Sequence, residues 1–472
     1  MAKNFSQKNK TKKGTSGKVS ESRKIVLEIL LCVEENEKKE SLQGDVIKAA
    51  LDKYDYLPVS DKAFIRRLSL DCIEKRLLLD YVADCYSKVK TKKMKPAIRN
   101  IIRMGCDQIL FMDSVPDASA CDEAVKLAQS KGFHGLKGFV NGVLRTISRQ
   151  KNDIPWPDEK SEHRRFLSVM HSVPEWIVEL LEERFGMEKA SVICGACAKT
   201  RPVTVRYRGG LKDEQALLKQ IEESGAAVSV NPYHDHSFFL ENISGMRSVP
   251  GFSEGLLALQ DTASMLAVRC AGIKKEDIVL DLCAAPGGKS CYAAELAGDG
   301  HVYAFDISEA RAERIAENAE RLGLSNISVG VRDALLPDEE MYGRCDVVLC
   351  DLPCSGLGVI GRKPDIKYRL KKESIRELAE LQKRILDVAA AYVKPGGTLI
   401  YSTCTVTKEE NEDNRAAFME AHSDFKADSL SPYLPECLQS DTAEEGYTTL
   451  LTGFPEDMPL MDGFFIARFV KK

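Results

Sequence analysis

Nowhere in the 472 residues does an apolar run approach the roughly 18 residues that a membrane-spanning helix needs. The first 24 residues lack the apolar stretch of a secretion signal, so export is not expected. Fifteen cysteines fall in no regular framework, which in a chain of this size argues against a disulfide scaffold and for a reducing compartment. Charge of one sign is also missing: 67 basic against 71 acidic residues leave a net charge of −4, so any polyanionic partner has to be sought in local patches. These absences point to a soluble cytoplasmic protein. Its 44% apolar content suffices for about two to four domains.

Residues 1–24 hold seven lysines and one arginine against a single acid, Glu21, and read as a disordered basic tail. From 25 to 150 the apolar residues recur at helical spacing, as in Ile25, Val26, Ile29, Leu30 and Val33, and predict an all-helical domain. Within it, the stretch from Cys85 to Cys106 carries Lys88, Lys90, Lys92, Lys93, Lys95, Arg99 and Arg103 and no acid, the pattern of a phosphate-facing surface. Asn152 to Asp158, with Pro155 and Pro157, reads as a linker. It opens a small α/β module over 151–254, with strands expected at Val203–Arg208 and Ala226–Val230 around a helix at Lys212–Glu223. Cys194 and Cys197 have the spacing of a zinc or redox pair. They lack a second pair and lie in a helical pattern, so no metal is expected. His234 and His236 fall in a turn-like segment and are expected at the surface.

Over 255–472, apolar runs alternate with helical stretches and predict a doubly wound parallel sheet. The chain is organised around the first of these runs. Val279–Leu282 ends in Cys283-Ala284-Ala285-Pro286-Gly287-Gly288-Lys289 and then enters a helix, the strand, turn and helix of a nucleotide-type pocket. It is not a phosphate-cradling loop, because the first glycine that motif needs falls on Cys283. Ligands of such sheets bind beyond the carboxyl ends of the strands, and the expected strands end on Asp281, Asp306, Asp333, Asp351 and Cys404. Asp306 follows Gly288 by 18 residues, the spacing at which an acid accepts from ribose hydroxyls. Acids at one edge therefore predict a ribose-bearing cofactor.

The last two strands select the chemistry. One runs into Asp351-Leu352-Pro353-Cys354 and the next into Ser402-Thr403-Cys404, so two thiols reach the same rim. Hydride transfer has no need of them. Methylating carbon 5 of a pyrimidine does, because that carbon is a feeble nucleophile until a thiolate adds at carbon 6. The Thr407-Lys-Glu-Glu410 segment has capping-box form, and a helix opening there would favour a thiolate at Cys404.

DLCAAPGGKS, DLPCSGLGVIGRKPDIKYR (351–369) and YSTCTVTKEENE (401–412) resemble the signature motifs of the RNA cytosine-5 methyltransferases. The helical region, the middle module and the ending DGFFIARF resemble the bacterial RsmB branch of that family, also called Sun or Fmu. That branch joins a helical domain similar to the antitermination factor NusB to a Rossmann-like methyltransferase domain. The resemblance implies S-adenosyl-L-methionine as cofactor and small-subunit (16S) ribosomal RNA as partner, for a protein expected to be monomeric. It implies that Cys283, Ala284, Ala285, Pro286, Gly287, Gly288 and Lys289 wrap the cofactor, that Asp306 holds its ribose, and that Asp333 lies by the adenine. It places Asp351 between cofactor and target base, Cys404 as nucleophile and Cys354 as the cysteine of product release. Leu352 and Leu357 are bulkier than the family pattern, which bears on pocket shape. Arg362, Lys363, Lys367, Arg369, Lys371 and Lys372 would extend the basic footprint beside the pocket. The competing readings are an RNA-bound transcription or assembly factor of NusB type, which has no use for the two thiols, and methylation of another RNA. A nicotinamide enzyme is disfavoured by the turn sequence.

Overall fold

The computed structural model describes residues 20–36, 43–54, 56–209 and 211–472; of the expected basic tail, residues 1–19 lie outside these. The chain divides after Val173 into two units. In neither, among the described residues, is any helix long and apolar enough to cross a membrane.

The first unit is helical throughout: α1 (Glu21–Asn36), α2 (Gln43–Lys53), α3 (Val59–Glu74), α4 (Arg76–Tyr86), α5 (Pro96–Phe111), α6 (Asp117–Ser130), α7 (Lys137–Gln150) and α8 (His163–Met170). Helix α1 starts four residues earlier than the apolar pattern suggests. Its entry is held by polar contacts that leave no hydrophobic signature, from the Ser20 N–H to Glu123 (2.9 Å) and from Arg23 to Gln108 (2.8 Å). Helix α5 is buried on nearly all sides, from Ile98 to Ile109, as expected of the central helix of a bundle. Gly105 lets α7 approach it, since a Cβ there would lie 2.5 Å from Leu144 Cδ1.

Two expectations for this unit change. Asn152 to Asp158 is not a free linker: Ile154 joins the core and Trp156 stacks on Tyr81. The acid-free basic run does not face outward as a whole. Arg103 is 3% exposed and bonds Asp80 through two nitrogens (2.7 and 2.6 Å) and Glu34 through a third (2.6 Å), and Arg99 also pairs with Glu34 (2.7 Å). Their partners lie on α1 and α4, distant in sequence. Lys88, Lys90, Lys92, Lys93 and Lys95 remain exposed.

The second unit begins with α9 (Glu175–Phe185) and α10 (Met187–Cys197), on which Cys194 and Cys197 are both buried. Then come β1 (Val203–Tyr207), α11 (Leu211–Glu223), β2 (Ala227–Val230), β3 (Ser237–Glu241) and β4 (Leu257–Leu259), which form an antiparallel sheet of order β2-β3-β1-β4. Strands β3 and β4 escaped the sequence reading. In β3, Ser237 to Leu240 are all buried, so it shows no alternation, and β4 is three residues long.

The large sheet follows α12 (Thr262–Cys270): β5 (Ile278–Asp281), α13 (Gly288–Ala297), β6 (His301–Asp306), α14 (Glu309–Arg321), β7 (Ile327–Val331), β8 (Cys345–Asp351), α15 (Ile366–Arg369), α16 (Lys372–Tyr392), β9 (Val393–Thr403), α17 (Glu412–Ala421), β10 (Phe425–Ala427), α18 (Asp441–Glu444), β11 (Tyr447–Leu450) and β12 (Phe464–Lys471). Strands β7-β6-β5-β8-β9 are parallel, and β12 adds antiparallel to β9 with β10 and β11 beyond it. The centre of the sheet is buried on both faces. Val347, Leu349 and Ile400 pack with α12 and α13, whereas Val348, Cys350, Leu399 and Tyr401 pack with Leu386 and Ala389 of α16. From β5 the chain moves outward to β6 and β7 and then returns to β8 on the other side of β5. The crevice at that reversal is where open sheets of this kind bind ligands.

Candidate active site

Strand β5 delivers Asp281 to the floor of the crevice. Asp281 is 1% exposed, accepts from Ser290 Oγ at 2.6 Å, and keeps its other oxygen without a hydrogen-bond partner. Burial pushes its carboxyl up to about 7. The turn that follows is fixed from both ends. Ala284 N–H donates to the Phe305 carbonyl (2.8 Å), and Asn318 Nδ2 donates to the Pro286 carbonyl (2.8 Å). Gly287 caps α13 in the left-handed region (φ 99°), where a side chain would be strained and would press on Ile315. Gly288 lies against Gln260, whose Cγ would be 3.7 Å from a Cβ there and whose Oε1 is buried without a partner.

The next strands bring the expected acids to the same edge. Asp306 (2% exposed) accepts from the Ala285 N–H (3.3 Å) and the Ser308 N–H (3.2 Å), with Arg311 at 3.3 Å, so it touches the turn directly. Asp333 accepts from the Leu335 N–H (2.9 Å) just beyond β7. Around these two acids the rim exposes Ile307, Val331 and Leu336, which are 62%, 56% and 63% accessible, an unusual concentration of bare apolar side chains.

Across the crevice, Asp351 ends β8. It accepts from Ser402 Oγ of the neighbouring strand (2.9 Å) and from Lys289 Nζ of α13 (2.7 Å). Lys289 therefore turns toward Asp351 and over the Phe464 ring (5.0 Å), although it follows the turn in sequence. Burial acts to lower the Lys289 pKa, but the Asp351 charge outweighs it and the ammonium is stabilised.

Beyond Asp351 and Ser402, the chains of β8 and β9 place Cys354 Sγ and Cys404 Sγ 3.3 Å apart. The hydrogen bond to Cys404, with burial second, raises the Cys354 pKa well above the ordinary thiol value. Cys283, on the other side of Asp281, is also pushed up, by burial. The expected capping box does not form. Helix α17 begins at Glu412, and its first flanking residue, Asn411, caps none of its N–H groups but instead accepts from the Thr403 hydroxyl (2.6 Å) and donates to the Thr405 carbonyl (3.1 Å), on either side of Cys404. Thr407 instead donates its hydroxyl to the Glu410 side chain (2.7 Å) inside a buried polar cluster.

That cluster is what sequence reasoning missed. Glu410, Ser355, Thr405, Gln382, Tyr401, Asn411 and Asn414 are all buried beneath the two thiol loops. A second missed feature is a backbone crossing: Gly358 N–H donates to the Cys404 carbonyl (3.0 Å) and Gly463 N–H to the Gly358 carbonyl (2.9 Å). The ending DGFF marked this position in sequence without revealing its contact. Leu352 and Leu357 are buried at 3% each, Leu352 in the core against α16, so the bulk of these two side chains is taken up inside the fold.

The basic residues by the pocket are only partly free. Arg362 pairs with Asp261 (2.7 Å) and Asp462 (3.0 Å), Arg369 pairs with Asp365 (3.3 Å), and Lys367 is 4% exposed. Lys363, Lys371 and Lys372 are exposed. His234, expected at the surface, is buried against the Tyr292 hydroxyl (2.8 Å), and burial lowers its pKa to about 4; His236 is exposed beside Glu214. Among the described residues, no three His, Cys, Asp or Glu side chains are grouped to hold a metal.

Residues 270–470 match the family described as 16S rRNA methyltransferase RsmB/F, and residues 20–149 match the NusB family. The chain is 35% identical to the probable ribosomal RNA small subunit methyltransferase B of Bacillus subtilis, over 95% of this chain and 98% of that protein. It is 32% identical to ribosomal RNA small subunit methyltransferase B of Proteus mirabilis, over 81% and 88%. Among solved structures, a methyltransferase homolog protein from Pyrococcus horikoshii superposes with a TM-score of 0.56 at 28% identity, over 66% of this chain and 100% of that one.

Proposed function

The chain belongs to the 16S rRNA methyltransferase RsmB/F family, and from this premise we propose that it methylates carbon 5 of a cytosine in small-subunit ribosomal RNA through a covalent bond from Cys404. The cofactor, S-adenosyl-L-methionine, supplies an electrophilic methyl group on a sulfonium. The crevice fits it. The partnerless oxygen of Asp281 suits an ammonium, and Asp306 and Asp333 offer acceptors to hydroxyl and amino groups. Bare Ile307, Val331 and Leu336 suit the faces of a heteroaromatic ring.

The target base would enter from the thiol side. Asp351, steadied by Lys289 and Ser402, presents an acceptor to the exocyclic amine that distinguishes cytosine from uracil. The Cys404 thiolate adds to carbon 6, which breaks the ring's aromaticity and makes carbon 5 nucleophilic. Carbon 5 then takes the methyl group. Loss of its proton to water and departure of the Cys404 thiolate restore the double bond. Cys354, a thiol at 3.3 Å, donates a hydrogen bond to that departing sulfur and so promotes release.

The observation that carries this reading is the meeting of two thiols over Asp351, at the edge that also holds the four-acid row. A factor that only bound RNA would have no need of that meeting. The test separates the two sulfurs. Cys404→Ala should form no RNA adduct and no 5-methylcytosine while still binding cofactor. Cys354→Ala should methylate once and stay attached to its RNA through a carbon–sulfur bond that survives denaturing electrophoresis. An adduct in the Cys404 variant and none in the Cys354 variant would exchange the two roles.

A further inference from the structure

The Glu410 carboxylate lies 0% exposed beneath the thiol loops, where an ionised group is costly unless hydrogen bonds surround it. Four donors converge on it. Oε1 accepts from the Ser355 N–H (2.8 Å) and Gln382 Nε2 (3.1 Å), and Oε2 accepts from Ser355 Oγ (2.5 Å) and Thr407 Oγ1 (2.7 Å). Two of the four come from the residue that follows Cys354. The residue before Cys354 is held as well, because Gln382 Nε2 also reaches the Pro353 carbonyl (2.8 Å). On the other side, Thr405, which follows Cys404, bonds Ser355 Oγ (2.6 Å), and Asn411 holds the Thr405 carbonyl (3.1 Å). Each cysteine is thus flanked by residues whose polar atoms end on one cluster, and Glu410 is the member that grips both loops.

We propose that Glu410 is a positioning residue that fixes Cys354 against the Cys404 sulfur and thereby governs release of the methylated RNA. This rests on the assignment of Cys404 to attack and Cys354 to release. Attack needs only the Cys404 thiolate and an open base site. Release needs a donor beside the leaving sulfur at the moment the carbon–sulfur bond breaks, its electron pair returns to Cys404 and the carbon 5 proton passes to water. A hydrogen bond between sulfurs tolerates little displacement, so loosening Ser355 acts on release before it acts on attack.

Two variants test this in the full-length protein, with S-adenosyl-L-methionine and small-subunit ribosomal RNA lacking the modification. Glu410→Gln keeps the shape and removes two acceptor sites, and Ser355→Ala deletes one hydroxyl while keeping the carboxylate. The second decides the matter if the first does not fold. Both should slow the first methyl transfer far less than adduct decay, bind cofactor as the native protein does, and accumulate a denaturation-resistant RNA adduct whose decay is slower by about tenfold or more. The adducted base should already carry the methyl group. Native adduct decay in both variants overturns the proposal. So does an equal loss of cofactor binding, methyl transfer and adduct, which would mark Glu410 as a purely structural residue. Cys354→Ala serves as the reference: if it traps no adduct, the assignment of the two thiols fails and takes this proposal with it. If it traps adduct and the two variants do not, only this proposal fails.

Discussion

Gly358→Ala should disable the chemistry while sparing the cofactor site. A Cβ on Gly358 would overlap the Gly463 carbonyl oxygen and lie 2.9 Å from the Cys404 carbonyl oxygen, and both neighbours are backbone. Neither can rotate away, so either the Cys404 loop or the start of β12 must retreat by roughly 1 Å. A displacement of that size at a reacting group costs on the order of 10²-fold in rate. Because the Gly358 N–H is bonded to Cys404 itself, the loss falls on methyl transfer. The Gly287 turn stands on a different strand, so cofactor affinity should stay within about twofold. Overpacking should also lower stability by roughly 1–3 kcal/mol. Single-turnover transfer of labelled methyl, calorimetric cofactor titration and a thermal melt read the three quantities. A transfer rate within threefold of the native protein, in a variant whose melt and cofactor binding are unchanged, would refute the argument that this crossing sets the position of Cys404.

Asp107 of α5 is 0% exposed, neither carboxyl oxygen has a hydrogen bond, and burial, with Asp71 adding to it, pushes its pKa up to about 7. A carboxyl with a raised folded pKa contributes most below its unfolded value near 3.8 and loses that contribution as pH climbs toward 7, at about 1.4 kcal/mol per unit as a ceiling. Asp107→Asn should therefore narrow the stability difference between pH 5 and pH 8 in denaturant titrations, and an unchanged difference would dismiss the acid as its source. Reversing Lys88, Lys92 and Lys93 to Glu should weaken RNA binding and flatten its dependence on salt, with cofactor affinity untouched. An unaltered salt slope would remove this surface from the footprint. A target cytosine locked in a stable duplex should react more slowly than the same base unpaired, because carbon 6 has to be reached from one ring face; equal rates would argue against extrusion as a significant cost.

The central strands of the large sheet were legible because burial on both faces writes them as apolar runs, and the acids and thiols beyond such runs were legible because each interrupts one. Three of the five parallel strands end on the expected acids, Asp281, Asp306 and Asp351, and the other two end just short of Asp333 and Cys404, at Val331 and Thr403. What failed was whatever depends on a distant partner. Arg103 looked free because Asp80 and Glu34 lie 23 and 69 residues away, and only the packing of α5 against α4 and α1 brings them to it. Thr407 and Glu410 have the spacing of a helix cap, yet the Thr407 hydroxyl donates to the Glu410 carboxylate itself, which also accepts from the Ser355 N–H, 55 residues away. His234 looked like a surface turn residue because its partner, Tyr292, is 58 positions ahead. Local pattern reports what a segment buries, but it cannot report which polar groups will meet there.

The two thiols reach one another because they follow neighbouring parallel strands, whose ends Asp351 and Ser402 stand side by side in register. Strands in a sheet are separated by about 4.8 Å, so a cysteine shortly beyond each end is brought near the other, and the loop hydrogen bonds set the final distance. Under the proposed mechanism, the sheet thus supplies two adjacent seats for a nucleophile facing a single base. A lineage could move the attacking role from one seat to the other by changing which sulfur is the better thiolate, and the strand order, the acid edge and the methyl donor's crevice would all stay where they are.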